Sequence, residues 1–160
     1  MTFQEFLKQL SLFKDLTDAE INQIAPLCRL VEGKADDRLI KEGLPVKSVF
    51  FLLAGQAVVS KGVDQSKRSV IGDVQKGTII GELSLYDNAD ASATVQATQP
   101  FKALAIDSVK FSQLMDANPV LGYKIFKKLA QATSRRLKMV SGEHAECLVV
   151  PDEFTQQKGP

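Results

Sequence analysis

The middle of this chain predicts a mainly β fold: an antiparallel β-barrel or jelly roll of about eight strands, with helices on both flanks. Two observations carry that prediction. Short strand-like runs succeed one another at 27–32, 38–41, 48–53, 56–61, 68–74, 78–80, 91–97 and 101–106, and Gly33, Gly43, Gly55, Gly62, Gly72, Gly77 and Gly81 punctuate them, with Pro45 and Pro100 at turns. Helical periodicity is confined to the two ends. Strands this short and turns this regular suit a closed or sandwiched antiparallel architecture.

The N-terminal segment places Phe3, Phe6, Leu7 and Leu10 at helical spacing, closed by Leu12-Phe13. Thr17-Asp18-Ala19-Glu20 is a capping box, and Ile21, Ile24 and Leu27 give the second short helix its apolar stripe. Pro26 disturbs or ends that helix. Within the β region, Val49-Phe-Phe-Leu-Leu53 is apolar throughout, as a strand covered on both faces requires. Helical spacing resumes at Asp107-Ser108, which supply a cap, and Phe111, Leu114 and Met115 mark a short helix ending before Asn118-Pro119. A long helix follows from Pro119 to Ser141 or Gly142. One of its faces reads Leu121, Ile125, Leu129, Ala132 and covers the barrel. The other reads Phe126, Leu129, Thr133, Leu137, Val140. That second face either buries within the chain or meets a partner, most simply the same helix of another copy, which would make a homodimer. The domain plan is therefore 1–27 helices, 28–106 barrel and 107–141 helices, with 142–160 a flexible tail.

With 160 residues, 44% hydrophobic and 24% charged, the chain fits one domain with a sizeable core. A formal net charge of +1 supplies no electrostatic reason to expect nucleic acid or an anionic membrane. The longest apolar run, 49–54, is far too short to span a bilayer, and the N-terminus does not read as a signal peptide. Cys28 and Cys147 lie far apart without a C-x-x-C pattern, which reads as reduced thiols in a cytoplasmic protein. His144 and Cys147 are too few ligands for a structural zinc site, and Ser84 and Ser92 have no base to activate them. Nothing here points to an enzyme, a metal or a cofactor. Arg135-Arg136 with Lys127, Lys128 and Lys138 makes a basic stretch on the long helix, either a solvated face or a surface for an acidic protein.

The stretch 77–95 carries the chemistry. Gly81-Glu82-Leu83-Ser84 opens a short helical turn between two strand-like pieces, and glycine there lets backbone amides converge on an anion. That is the layout of a phosphate cradle. Yet from Gly77 to Phe101 there is no Lys or Arg, while Glu82, Asp87 and Asp90 add negative charge.

Several landmarks occur together and in order: Leu12-Phe13 with Leu16, Ile40-Lys-Glu-Gly43, Phe50-Phe-Leu-Leu-Ala-Gly55, Gly72-Asp73, Gly77-x-x-x-Gly-Glu-Leu-Ser-Leu85 and Ala93-Thr94-Val95. With them, the chain resembles cyclic nucleotide-binding domains, found in catabolite-activator-type regulators, the regulatory subunit of protein kinase A and gated channels. The resemblance implies that Leu83 and Ser84 offer amides to a cyclic phosphate, Gly81 permits the approach, and Glu82 accepts from the ribose 2′-hydroxyl. It also puts Ala91 where the family has its phosphate-contacting Arg, with Ser92 and Ala93 beside it. On the long helix, Val140 and Ser141 fall where regulators of the catabolite-activator type contact the base. The implied ligand-contacting set is Gly81, Glu82, Leu83, Ser84, Ala91, Ser92, Ala93 and Ser141, for cAMP or cGMP. A charge-assisted hydrogen bond contributes about 1.5–3 kcal/mol and a buried bidentate one more, so the missing Arg weakens such binding by roughly one to three orders of magnitude. Arg68, Arg135 and Arg136 are the cations that could replace it. The eighteen residues after Gly142 are too few for the DNA-binding module of those regulators, which takes about 60. Two readings follow: a standalone sensory module, or a degenerate domain serving as a protein-interaction or dimeric adaptor.

Overall fold

The structure is a computed structural model that describes residues 2–62, 68–87 and 89–140, with the side chains of residues 87 and 136–140 outside that description. Two N-terminal helices, α1 (Phe3–Gln9) and α2 (Asp18–Ile24), are each opened by a capping box. At α2 the Thr17 hydroxyl accepts from the Glu20 amide at 3.3 Å, and the Glu20 carboxylate accepts from the Thr17 amide at 2.7 Å. Pro26 does not end the chain's helical course outright. It sits in a 3-10 turn, Ala25–Leu27, which hands over directly to the first strand.

Eight strands follow: β1 (Cys28–Gly33), β2 (Arg38–Ile40), β3 (Ser48–Ala54), β4 (Ala57–Lys61), β5 (Ser69–Val74), β6 (Ile79–Ile80), β7 (Thr94–Ala97) and β8 (Phe101–Asp107). They form two four-stranded antiparallel sheets, ordered β1-β8-β3-β6 and β2-β7-β4-β5. Of the two expected alternatives, barrel or jelly roll, the described strands form the jelly-roll-like sandwich and not a closed barrel. β2 and β6 are only three and two residues long, and no described ladder joins the sheets into one ring. Residues 91–93, expected within a strand, precede β7 as irregular backbone held by other bonds.

β3 explains the layering. Val49 and Phe51 point to one side and join a cluster with Leu7, Phe13, Ile21, Ile24, Leu104 and Ile106 beneath the helices. Phe50 and Leu52 point to the other and pack with Ile40, Ile80, Val95, Ala103 and Ala105 between the sheets. An all-apolar strand was needed because both faces are covered. α3 (Ser84–Asp87) interrupts the strands, and α4 (Ser108–Ala117), capped by Asp107 accepting from the Lys110 amide at 2.9 Å, follows them. α5 (Pro119–Val140) starts at Asn118, whose side chain accepts from the Leu121 amide at 3.3 Å. Leu121, Ile125 and Leu129 are fully buried against the helical side of the core. Ala132 is half-buried and Thr133 exposed. Gly142, the expected stop, lies outside the described residues, as does the rest of 141–160.

Candidate functional site

The turn after β6 is built on a glycine that no other residue replaces cheaply. Gly81 has φ +82°, and a Cβ there would lie 3.0 Å from Ile40 Cδ1, 3.0 Å from Val46 Cγ1 and 3.2 Å from the Ser48 carbonyl oxygen. Beyond it the chain tightens into α3. The Leu85 amide donates to the Glu82 carbonyl at 3.1 Å and the Tyr86 amide to the Leu83 carbonyl at 2.9 Å. Ser84 turns back on Gly81: its amide (3.3 Å) and its hydroxyl (2.7 Å) both donate to the Gly81 carbonyl. The serine's own donors therefore close the turn, whereas the sequence had placed its amide toward a ligand. The Leu83 amide takes part in none of these bonds. Glu82 is buried and Leu83 half-exposed.

Across from this turn, the segment entering β7 is fixed by its main chain. The Gly43 amide donates to the Ala91 carbonyl at 2.8 Å, and the Ala91 amide to the Leu44 carbonyl at 2.9 Å. Pro45 bridges Asp90 alongside. The buried hydroxyl of Thr94 accepts from the Glu42 amide at 3.1 Å, and the Glu42 carboxylate accepts from the Gly62 amide at 3.0 Å. The loop 40–46 thus touches both walls, Gly81 through Ile40 and Val46 and Ala91 through Gly43 and Leu44. The Ile40-Lys-Glu-Gly43 turn stands out in the sequence, but a bond spanning 52 positions, Glu42 to Thr94, leaves no local pattern. Ser92 is exposed and Ala93 half-buried.

Ala91 places a methyl group, partly buried against the inter-sheet apolar cluster, where the resemblance implies a cation. Two of the alternative cations, Arg68 and Arg135, lie elsewhere. Arg68 lines an outer groove of about 730 Å³ with Asp36, Asp37, Arg38 and Gln96. Arg135 borders a cavity of about 110 Å³ that includes Leu12, Phe51, Gly77, Ile79 and Leu129, on the helical side of the core. Neither cavity includes Gly81 to Ser84 or Ala91 to Ala93. The side chains of Arg136 and Val140, and all of Ser141, lie outside the described residues.

The acid of the turn makes itself felt on α3. Burial, and then the Glu82 carboxylate, push the Tyr86 hydroxyl above the usual tyrosine range. Tyr86 also packs on α5, its ring 5.2 Å from that of Phe126 at an interplanar angle of 49°. Part of the second face of α5 is therefore used within the chain. Among the described residues, no group of three or more His, Cys, Asp or Glu side chains could hold a metal ion, and no helix is long and apolar enough to cross a membrane.

The site is thus a Gly-Glu-Leu turn in a jelly-roll sandwich, joined through residues 40–46 to the segment that enters β7. The sequence model of the cyclic nucleotide-binding domain matches residues 30–118, more than half of the chain. The chain belongs to the cyclic nucleotide-binding domain family. It is 26% identical over 131 residues to the cAMP-activated global transcriptional regulator CRP of Salmonella typhimurium, covering 81% of this chain and 60% of that protein. A cAMP-dependent protein kinase regulatory subunit of Mycosarcoma maydis is 33% identical over 95 residues, 59% of this chain and 18% of that protein. The chain thus spans less than two thirds of the length of either. The crystal structure of a cyclic nucleotide-binding domain from Methylobacillus flagellatus superposes with a TM-score of 0.74 at 26% identity, covering 88% of this chain and 79% of that one.

Proposed function

We propose that this chain is a regulatory module that takes a small anionic ligand, cAMP or cGMP, into the cradle between the Gly81 turn and Ala91–Ala93, binds it weakly, and answers by moving α5. The supporting observation is the shared loop 40–46, which carries both walls of the cradle while position 91 holds alanine. Gly81, Glu82, Leu83, Ser92 and Ala93 are the ligand-contacting candidates on the described part, with Ser84 closing the turn and Ser141 a candidate for the base. A relative that is cAMP-activated favours this ligand class. On this reading 1–141 is the regulatory domain and 142–160 a tail, the chain works without a cofactor and is not an enzyme, and its setting is the cytoplasm. Its partner is a protein, with a second copy through α5 the simplest.

A second reading is favoured by the Ala91 side chain itself, packed against apolar residues: the cradle no longer takes cyclic nucleotide and the domain acts as a protein-interaction or dimeric adaptor. Titration calorimetry with cAMP and cGMP separates the two. Heat at micromolar to millimolar ligand that disappears in Glu82→Ala supports the regulatory module, and no heat at millimolar ligand leaves the adaptor. Light scattering of the full chain tests self-association, and a monomer at high concentration would exclude the dimer.

A further inference from the structure

Charge is segregated along the C-terminal part of the chain. Residues 119–140 hold six cations, Lys124, Lys127, Lys128, Arg135, Arg136 and Lys138, and no acid. Residues 141–160 hold Glu143, Glu146, Asp152 and Glu153 against one cation, Lys158. Two of the helical cations are already engaged: Lys124 Nζ lies 2.7 Å from Glu20 Oε1, and Lys128 Nζ lies 2.6 Å from Asp15 Oδ2. Arg135 is exposed and makes no ion pair among the described residues. It borders the cavity of about 110 Å³ on the helical side of the core, whose floor is Leu12, Phe51, Ile79 and Leu129. Leu129 is fully buried and the other three nearly so. Lys128, Ala132 and Arg135 follow one stripe of α5 along the rim. The space exceeds severalfold what one water needs, yet these floor side chains offer water nothing to bond. It suits apolar side-chain atoms instead.

We propose that the occupant of this cavity is the chain's own segment 146–150, folded back along α5 as an extended strand. In such a strand Glu146, Leu148 and Val150 share one side, while Cys147 and Val149 share the other. The first side brings a carboxylate to Arg135 and two apolar groups to the cavity. The lengths agree. From Val140 back to Arg135 is about 8 Å along the helix, and back to Leu129 about 17 Å, at about 1.5 Å per residue. A chain that reverses over 141–143, where Gly142 supplies the backbone freedom, covers about 10 Å by Glu146 and about 17 Å by Leu148, at about 3.3 Å per residue. The acid thus arrives beside Arg135 and the first apolar side chain beside Leu129. The β-branched pair Val149-Val150 favours that extended backbone, and Pro151 ends it. The cavity includes none of residues 81–84 or 91–93, so the docked segment is not a cover for the cradle. It closes a basic face of α5 that an acidic partner would otherwise meet, and access to that face depends on its release.

The test places a nitroxide on Cys147 of the full chain, without ligand, and reads paramagnetic broadening of the backbone amides. Burial pushes the Cys28 thiol up to about 12, so near neutrality the label goes to Cys147, which faces away from the cavity in the docked strand. Broadening is expected at Ser11, Leu12, Gly77 and Ile79 as well as in the distal part of α5. Broadening confined to the end of α5, or gathered at the Gly81 turn and Ala91, overturns the proposal. Leu148→Asp leaves every described core residue in place. It forfeits a buried leucine and should lower the docked-to-free ratio more than about tenfold, abolishing the broadening at Gly77 and Ile79. Glu146→Lys should lower that ratio about two- to fivefold, and the charge swap Glu146→Arg with Arg135→Glu should restore it. Broadening that survives Leu148→Asp, or a swap that restores nothing, counts against the assigned pose. A mixture of isotope-labelled Cys147→Ser chains with unlabelled nitroxide-bearing chains reads contacts between copies. Broadening there at Gly77 and Ile79 places the segment on a second copy and overturns docking within the chain. None of these outcomes depends on cyclic nucleotide, so flat nucleotide titrations would sink the ligand reading and leave the docked segment standing.

Discussion

Ala91→Arg is the most informative single change, because the structure holds its main chain still. The Gly43 amide and the Leu44 carbonyl clamp Ala91 at 2.8 and 2.9 Å, and Pro45 bridges Asp90 next to it. A longer side chain at 91 therefore leaves the cradle wall in place. It must only leave the apolar cluster that the methyl group touches, and the half-exposed position gives it a way out. Glu82 in the neighbouring turn is buried, and the sequence from Gly77 to Phe101 contains no other cation. One charge-assisted contact to a phosphate contributes about 1.5–3 kcal/mol, or roughly ten- to hundredfold in affinity at 1.4 kcal/mol per decade. The lower end of that range, about a tenfold gain, is the expectation. Calorimetric titration of wild type and variant with cAMP at one ionic strength measures it. A variant that folds, keeps its thermal midpoint and binds cAMP no better than wild type would refute the placement of position 91 in the binding wall.

Three further outcomes follow from the same geometry. Glu82→Ala removes the buried carboxylate of the turn and should lower cyclic nucleotide affinity at least about tenfold without shifting the domain's stability by a comparable factor, as calorimetry paired with thermal unfolding will show. Gly81→Ala forces a left-handed residue and brings a Cβ to 3.0 Å from Ile40 and Val46, a cost of about 1–2 kcal/mol that should appear as a drop of roughly 2–8 °C in Tm. In acid the ion pairs Lys124–Glu20 and Lys128–Asp15, which join α5 to the N-terminal segment, should dissolve. The hydrogen bond from Lys124, helped by the Thr17 amide, holds the Glu20 carboxyl below the ordinary glutamate value, and the bond from Lys128 lowers Asp15 likewise. Carboxyls depressed in the folded state stabilise it above their ordinary values and lose that contribution as pH falls through the lowered folded ones. Wild type should therefore exceed Lys124→Met plus Lys128→Met in stability near neutrality, and the difference should shrink as pH falls below the ordinary carboxylate values and vanish only once both carboxyls are protonated in the folded state, as denaturant titrations across pH will reveal.

Much of the fold was legible because its signals are local. The Thr17–Glu20 capping box, the doubly covered 49–52 run and the Asp107 cap all appear as read, since each depends on residues within three or four positions. Closure of the barrel was not legible, because it depends on whether β2 and β6 extend their ladders, and these stop after three and two residues. Residues 91–93 have strand-like composition, yet Gly43 and Leu44, almost fifty positions away, claim the backbone bonds of Ala91. At the site, Gly81 and Glu82 could be recognised from their pattern, whereas the inward hydroxyl of Ser84 depends on a rotamer that no pattern encodes. Lys128 reads in sequence as one member of a basic stretch. Only packing brings Asp15 to within 2.6 Å of it and turns part of that stretch into an internal contact.

The central claim, that the cradle of this family member still admits cyclic nucleotide, is met most directly by an amide-resolved NMR titration of the wild-type chain with cAMP and cGMP up to millimolar concentration. The account predicts saturable shifts that begin at Gly81 to Leu83 and Ala91 to Ala93 and extend through Tyr86 to residues near Phe126. Spectra in which those amides stay still at millimolar ligand, or in which shifts gather around the outer groove of Asp36, Arg38 and Arg68 instead, would contradict it.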